Sequence, residues 1–397
     1  RRVLFRSVPQ NLNSNMIVST IEGKNQQIAS GPVAALESIK HLGTNGGGFF
    51  GANSSTPFEN PNIISNIIEL LSMMILPASC IFIFGKMAYD NSKEKATNND
   101  DHKSIKSFNR KHILIGTEGR TVFVAMSILF LIGLGICYFT ESHGINGATL
   151  SGISQNLGNM EGKEMRFGIS QSTLFTTVTT SFTTGTVNNM HDTLTPLGGM
   201  VPLINMMMNV VFGGAGVGLM NMLIYAILAV FICGLMIGKT PEYLGKKIEG
   251  NEMKLAALSI IIHPLLILGF SALAVSVNGG VQGITNPGFH GLSQVLYEFS
   301  SSAANNGSGF EGLTDNNLFW NITCGLVMFL GRYLSIIIQL AIAGSLSKKV
   351  NVNETIGTLK TDNLTFSIII VIVVYIFSAL TFLPVLALGP IAEWLTL

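Results

Sequence analysis

Three short strings in this sequence have the composition of a cation path lined by backbone: Thr44-Asn45-Gly46-Gly47-Gly48-Phe49, Thr183-Thr184-Gly185-Thr186-Val187-Asn188 and Asn305-Asn306-Gly307-Ser308-Gly309-Phe310. An ion entering a dry constriction must exchange its hydration water for other oxygens, and backbone carbonyls can supply them. The chain must then run extended with its carbonyls turned to one axis, and glycine reaches the φ values this needs without steric cost. Flanking Thr and Asn add hydroxyl and amide oxygens, or tie each string to its neighbours. No carboxylate lies in the three glycine cores, which suits a monovalent, weakly hydrated cation such as potassium better than calcium. A lone string of this kind is usually a turn. Three in register are harder to dismiss.

Each string follows a short segment of helical pattern, at 34–42, 169–182 and 292–304, and precedes a long apolar stretch. That is one unit repeated along the chain. The short segments cannot cross a bilayer and read as re-entrant pore helices. Crossing takes about 20 apolar residues, and six segments supply them: 63–86, 121–140, 200–238, 255–277, 318–346 and 366–388. The third is too long for one straight span, and its middle reads Phe212-Gly213-Gly214-Ala215-Gly216-Val217-Gly218. Each glycine weakens a helix by about 1 kcal/mol, so this span is expected to be two half-helices joined by irregular backbone. At membrane depth such backbone must be buried in protein or line a watery cavity.

The expected fold class is therefore an all-α integral membrane protein. Only 11% of the 397 residues are charged, against about 25% in soluble domains, so much of the surface meets lipid. A net charge of +1 gives no footing for a nucleic-acid partner. Lysines and arginines gather after the first span (Lys86 to Arg120), after the third (Lys239, Lys246, Lys247, Lys254) and before the last (Lys348, Lys349, Lys360), which places those loops in the cytoplasm. Residues 141–166 and 278–290 then lie outside. The start, RRVLFRSVPQ, has no apolar signal core and reads as beginning inside a longer protein.

Other residues weigh less. Cys80, Cys137, Cys233 and Cys324 sit in apolar stretches without a CxxC pair and read as small core residues. Arg332, in mid-span, is by default functional because an intramembrane charge is costly; the alternative is a structural arginine capping carbonyls. Glu69 reads as near an interface or paired to a neighbouring helix, and His191-Asp192 as a loop brace or cation attractor at the outer vestibule. His263-Pro264 reads as a proline kink. Gly238-Lys239-Thr240 is not a P-loop, since Cys233 occupies the first glycine position, and Leu219 spoils a GxGxxG over Gly214, Gly216 and Gly218. Gly234 and Gly238 form a GxxxG suited to close helix packing. With no Asp-Lys-Thr-Gly phosphorylation string, any ATP hydrolysis is expected in a partner.

Longer strings carry a family resemblance. Gly43-Thr44-Asn45-Gly46-Gly47-Gly48-Phe49-Phe50 with Phe58-Glu59-Asn60-Pro61, Asn159 to Glu164, Met190-His191-Asp192, Thr240 to Lys247, and Ser302 to Ser308 resemble the potassium-binding subunit family of the bacterial Kdp-type potassium-transporting ATPase. The resemblance implies M1–pore-helix–M2 repeats of the potassium-channel-like transporter superfamily around one ion path. On that pattern residues 1–30 are an extracytoplasmic segment of a truncated repeat and 31–90 the second repeat's pore helix, filter and M2. Residues 119–238 would be the third repeat, 254–346 the fourth and 364–397 the final helix, with cytoplasmic loops at 91–118, 239–253 and 347–363. The first repeat would be absent.

It further implies a potassium filter at Thr44, Asn45, Gly46, Thr183, Thr184, Gly185, Asn305, Asn306 and Gly307, and a gating loop at Gly213, Gly214, Gly216 and Gly218 below it. Arg332 would face the pore under the filter. Asn209 stands where some relatives carry an acidic residue. No cofactor is implied; potassium is the transported ligand. The implied partners are a P-type ATPase catalytic subunit, small accessory membrane subunits and lipid, in the bacterial plasma membrane. The chain itself is expected to be a non-catalytic ion-binding subunit. Three alternatives stand beside this: a self-sufficient Trk/Ktr-like transporter, a polytopic membrane enzyme using the His191-Asp192 region, and a purely structural membrane scaffold, for which three glycine-cored pore loops would be needless.

Overall fold

The computed structural model describes residues 8–98, 116–145, 155, 157–352 and 358–397. Six helical spans carry the fold. They are α2 (Ile63–Asn98, apolar to Tyr89), α3 (Thr117–His143), α6 (Val217–Ile237), α7 (Gly250–Ser276), α10 (Leu318–Ser347) and α11 (Leu364–Leu386), the last running on through a π turn, Ala387–Ile391, into α12 (Ala392–Thr396). In four of the six, only 28% of the most apolar stretch is buried within the protein. The rest of that apolar surface would be unfavourable in water at roughly 25 cal/mol per Å², so hydrocarbon is its solvent. This is an all-α, multi-pass membrane fold.

Helix starts follow local chemistry. Thr195 caps α5 (Pro196–Met208) by accepting from the Gly198 N–H, with Pro196 in the first turn where its missing N–H costs nothing. Asn317 and Asn363 cap α10 and α11 in the same way, and Glu249 and Glu252 form a reciprocal capping box on α7. The Thr195-Pro196 start puts the third span four residues earlier than hydropathy does. The first span runs on as helix to Asn98, past its apolar limit; the remainder of the basic loop, at 99–115, lies outside the described residues.

Each glycine string follows a helix too short to cross: α1 (Val33–Gly43), α4 (Gly168–Ser181) and α9 (Phe289–Ala304). They match the three expected pore-helix segments to within three residues at each end. Helix α1 packs on α2, α4 on α3 and α5, and α9 on α7, α10 and α5. Helix α4 is buried although rich in threonine. Three of its hydroxyls are satisfied within the helix: Thr173, Thr177 and Thr180 donate to the carbonyls of Ile169, Thr173 and Thr176, at 3.0, 2.8 and 2.8 Å.

Hydropathy gave no warning of two small antiparallel hairpins. One pairs β1 (Met16–Ser19) with β2 (Asn25–Ile28); the other pairs β3 (Glu242–Tyr243) with β4 (Lys246–Lys247) around a positive-φ Leu244-Gly245 turn. A short helix α8 (Asn278–Val281) follows α7. Among the described residues the GxxxG pair does not join two helices. Gly238 is the left-handed C-cap of α6, and a Cβ on Gly234 would meet the Lys239 carbonyl and Pro241 of the same turn.

Candidate functional site

The three short helices end alike. Thr44, Thr183 and Asn305 turn left-handed just past α1, α4 and α9, with φ of 50, 46 and 55°. The next residue folds its N–H back five positions: Asn45 to the Lys40 carbonyl, Thr184 to Thr179, and Asn306 to Ser301, at 3.1, 2.9 and 2.9 Å. Gly46, Gly185 and Gly307 follow at φ of 78, 87 and 110°. This shared turn terminates each helix and sends the chain onward with a defined carbonyl direction.

The strands then meet. A Cβ on Gly46 would lie 2.7 Å from the Asn306 carbonyl oxygen and closer still to that of Thr184. One on Gly185 would press on the Asn306 carbonyl and come within 3.0 Å of the Gly307 Cα. On Gly307 the nearest atoms are the Gly46 Cα at 3.8 Å and the Asn45 oxygen at 4.0 Å. The residue before each central glycine, Asn45, Thr184 and Asn306, thus aims its carbonyl among the other strands. Six of the nine residues expected from the sequence, Asn45, Gly46, Thr184, Gly185, Asn306 and Gly307, meet in the backbone, while Thr44 and Thr183 bring their hydroxyls toward Gly214. Asn305 instead turns its amide to the Met328 carbonyl on α10, at 3.2 Å.

The strands are fastened differently. Gly185 and Gly307 donate to the hydroxyls of Thr179 and Ser301 at 2.9 and 3.0 Å. In the first strand Lys40 holds that position and donates instead to the Gly48 carbonyl. Between strands, Thr186 donates to the Gly47 carbonyl at 2.9 Å and the Asn306 amide to the Thr179 carbonyl at 2.8 Å.

Beneath the strands lies the break in the third span, residues 209–216, between α5 and α6. Gly213 and Gly218 touch backbone to backbone, with no room for a Cβ on either. The Gly213 N–H donates to the Ser181 carbonyl at 2.9 Å, and Phe212 stacks on Phe182 at 4.6 Å and 8°. A Cβ on Gly214 would sit 3.0 and 3.2 Å from the hydroxyls of Thr183 and Thr44. Gly216 is the left-handed N-cap of α6. Asn209 is the left-handed C-cap of α5; its carbonyl accepts from Asn221, which accepts in turn from Gln339. His263 lies 3.0 Å from the Met206 carbonyl, so it binds the last turn of α5 as well as preceding a proline.

Arg332 lines a cavity with Asn209, Asn221, Asn305 and Gln339. Gly331 brings α10 against the end of α9, where a Cβ would meet the Ala303 carbonyl at 2.6 Å. The α10 backbone at Gly331-Arg332 is thereby set beside the negative end of the α9 dipole.

Beyond the second strand, His191 and Asp192 brace loops. His191 bonds Tyr297 at 2.7 Å, and Glu311 accepts from the backbone N–H groups of His191 and Asp192. Burial, with Lys163 nearby, pushes His191 down to about 3 and keeps it neutral. His290 bridges Asp192 and Glu393 at 3.1 and 2.9 Å. Burial opposes its charge, but the two carboxylates hold it at about 9. Its contribution is present below the ordinary histidine range and lost as pH rises through 9. Glu69 pairs with His41 on α1, Nε2 to Oε2 3.4 Å. Sequence reasoning missed two buried carboxylates, Glu37 and Glu59, which accept from the backbone N–H groups of Phe49 and Phe50.

The protein family described as the potassium-transporting ATPase A subunit, KdpA, matches residues 3–395. The chain belongs to the KdpA family. It is 55% identical over 390 residues to the potassium-transporting ATPase potassium-binding subunit of Geobacillus kaustophilus (98% of this chain, 65% of that one). Over 392 residues it is 56% identical to the protein of the same name in Clostridium acetobutylicum (99% and 66%). It is also 55% identical over 395 residues to potassium-binding subunit 2 of Staphylococcus aureus (100% and 67%). The chain therefore spans about two thirds of the length of these KdpA relatives.

Proposed function

We propose that this chain binds potassium and passes it across the bacterial plasma membrane as the channel-like subunit of an ATP-driven uptake complex. The observation that carries the reading is the meeting of the Asn45, Thr184 and Asn306 carbonyls at Gly46, Gly185 and Gly307. Those oxygens are dipoles held by helix-end turns, the arrangement that replaces an ion's water shell. The order of span, short helix, extended strand and span supports a repeat organisation with boundaries near 31–90, 119–238 and 254–346.

In this reading the 209–216 loop is a gate beneath the filter and Arg332 a pore-side charge beyond it. ATP hydrolysis belongs to a P-type ATPase partner, with small membrane subunits and lipid completing the assembly. Identity of 55% or more to ATPase subunits favours this over a self-sufficient Trk/Ktr-like transporter.

Potassium uptake at low external potassium tests it, with Gly46, Gly185 or Gly307 replaced by Asp at the native locus. A buried carboxylate at the strand contact is expected to abolish high-affinity uptake. Normal affinity and selectivity in all three variants would end the proposal.

A further inference from the structure

The first strand is the odd one of the three. Its neighbours fasten their central glycine through a hydroxyl on the preceding helix, whereas here Lys40 stands at that position. What holds the first strand lies further on. Glu37 Oε1 accepts from the Phe49 N–H at 3.1 Å and Glu59 Oε1 from the Phe50 N–H, so two adjacent amides just past Gly46-Gly47-Gly48 are gripped by two carboxyl groups. Both side chains are buried, at 2% and 0% exposure. Their second oxygens, Glu37 Oε2 and Glu59 Oε2, are buried without any hydrogen-bond partner. Two buried carboxylates side by side repel, and two orphaned acceptors leave their lost hydration uncompensated. One proton between them removes both penalties.

We propose that Glu37 and Glu59 are positioning residues for the first filter strand, acting as a carboxylic acid–carboxylate pair that shares one proton between its second oxygens. The inference rests on the potassium-filter reading above. The proton comes from solvent and no bond other than O–H forms or breaks. In the shared-proton state each group keeps its grip on a backbone N–H, and the pair carries one negative charge.

The surrounding charges fit one negative charge better than two. Lys40 and His41 lie on α1, Glu69 on α2, and Arg166, before α4, donates to the carbonyls of Ser55 and Asn60 that flank the Glu59 turn. His41 faces Glu69 at 3.4 Å and Glu37 at 3.7 Å, while among the described residues Glu59 makes no ion pair and feels Lys40 only at longer range. Burial pushes the Glu59 carboxyl up to about 7, the Phe50 N–H opposing and Glu37 adding to the rise. Glu37 is raised as well, by burial against the pull of His41. The proton is therefore held below about pH 7 and lost above it. Deprotonation leaves two anions behind Phe49 and Phe50 and loosens the strand.

The test is potassium uptake against external pH, with substitutions made at the native locus. Wild-type apparent KM is expected to rise about threefold or more between roughly pH 6.5 and 8.5 as the pair loses its proton. Glu59→Gln substitutes a permanent donor toward Glu37 while its amide oxygen still accepts from Phe50. Its KM at the lower pH should stay within about twofold of wild type and the pH slope should vanish. Glu59→Ala should raise KM about tenfold by leaving the Phe50 N–H unpaired. Should the alanine variant fail to accumulate in the membrane, the slopes of Glu59→Gln and Glu37→Gln decide alone. A flat wild-type profile, a glutamine variant with the wild-type slope, or an accumulating alanine variant with wild-type KM would each overturn the inference while saturable uptake leaves the potassium reading intact. Absence of saturable potassium uptake in wild type would remove both.

Discussion

The three central glycines look equivalent in sequence, but the geometry makes them unequal, and replacing each by alanine exposes the difference. All three have φ in the region that L side chains avoid, at a cost of roughly 1–2 kcal/mol. At tenfold per 1.4 kcal/mol, strain alone gives about a 5- to 30-fold loss of potassium affinity if it falls on the bound state. Gly307→Ala should show that and no more, because its nearest neighbour would be 3.8 Å away. Gly185→Ala adds a collision. Its methyl would lie 2.7 Å from the Asn306 carbonyl carbon and 3.0 Å from the Gly307 Cα, both backbone atoms that cannot swing aside. Carbon contacts are comfortable at about 3.5–4.0 Å, so the strands must part by up to about 1 Å. Displacing a preorganised group that far costs about 100-fold in comparable sites.

The expected order of damage is Gly185→Ala, then Gly46→Ala, then Gly307→Ala. Apparent KM for potassium uptake, measured at matched membrane abundance with rubidium and sodium as competitors, reads it directly. Equal damage at Gly185 and Gly307, or less than about threefold at both, would refute the reasoning, since positive φ and backbone contact would then not be what these glycines serve.

Two further substitutions probe other parts. Lys163 and Glu141 form a fully buried ion pair at 2.6 Å, in which Glu141 also accepts from Asn159 and Thr195. Lys163→Met strands the carboxylate and should cost about 3–5 kcal/mol, seen as a large fall in the thermal midpoint of the detergent-solubilised protein. Arg332 has no hydrogen bond or ion pair among the described residues, so Arg332→Gln should leave that midpoint unchanged but alter the rate or apparent affinity of potassium uptake. Unchanged kinetics would remove the pore role proposed for it.

Much of this architecture was legible because a bilayer enforces simple rules. Apolar length located the spans, and the glycine run 213–218 located the break, since no continuous helix tolerates both its composition and the contact of Gly213 with Gly218. The short helices were legible from their spacing before the glycine strings. What escaped was tertiary. Glu37 and Glu59 are 22 positions apart and come together only when the chain after the first strand folds back over α1. Arg166 reaches residues 55 and 60 across more than a hundred positions, a link that no local pattern records. The small hairpins were hidden because four- and two-residue strands carry too little alternation to stand out. The GxxxG pair misled because spacing alone does not separate a helix-packing face from a helix end.

The break in the third span is fastened mainly to the second glycine-bearing strand and its helix, and on the proposed reading this bears on how a path through the protein could open. Gly213 donates to Ser181, Phe212 stacks on Phe182, and Gly214 lies under the hydroxyls of Thr183 and Thr44. Unpaired backbone groups at membrane depth cost several kcal/mol, so the loop cannot leave these partners without finding others. The side-chain amide of Asn221 and the hydroxyl of Thr44 are the replacements within reach: Asn221 already holds the Asn209 carbonyl at 2.8 Å, and Thr44 stands 3.4 Å from the Ala215 N–H. On the proposed reading, the loop, held by an aromatic stack worth about 1 kcal/mol and by exchangeable hydrogen bonds, is the part that moves, while the strands, locked by helix-end turns, keep their carbonyls fixed. Selecting an ion and then releasing it would require that division within one chain.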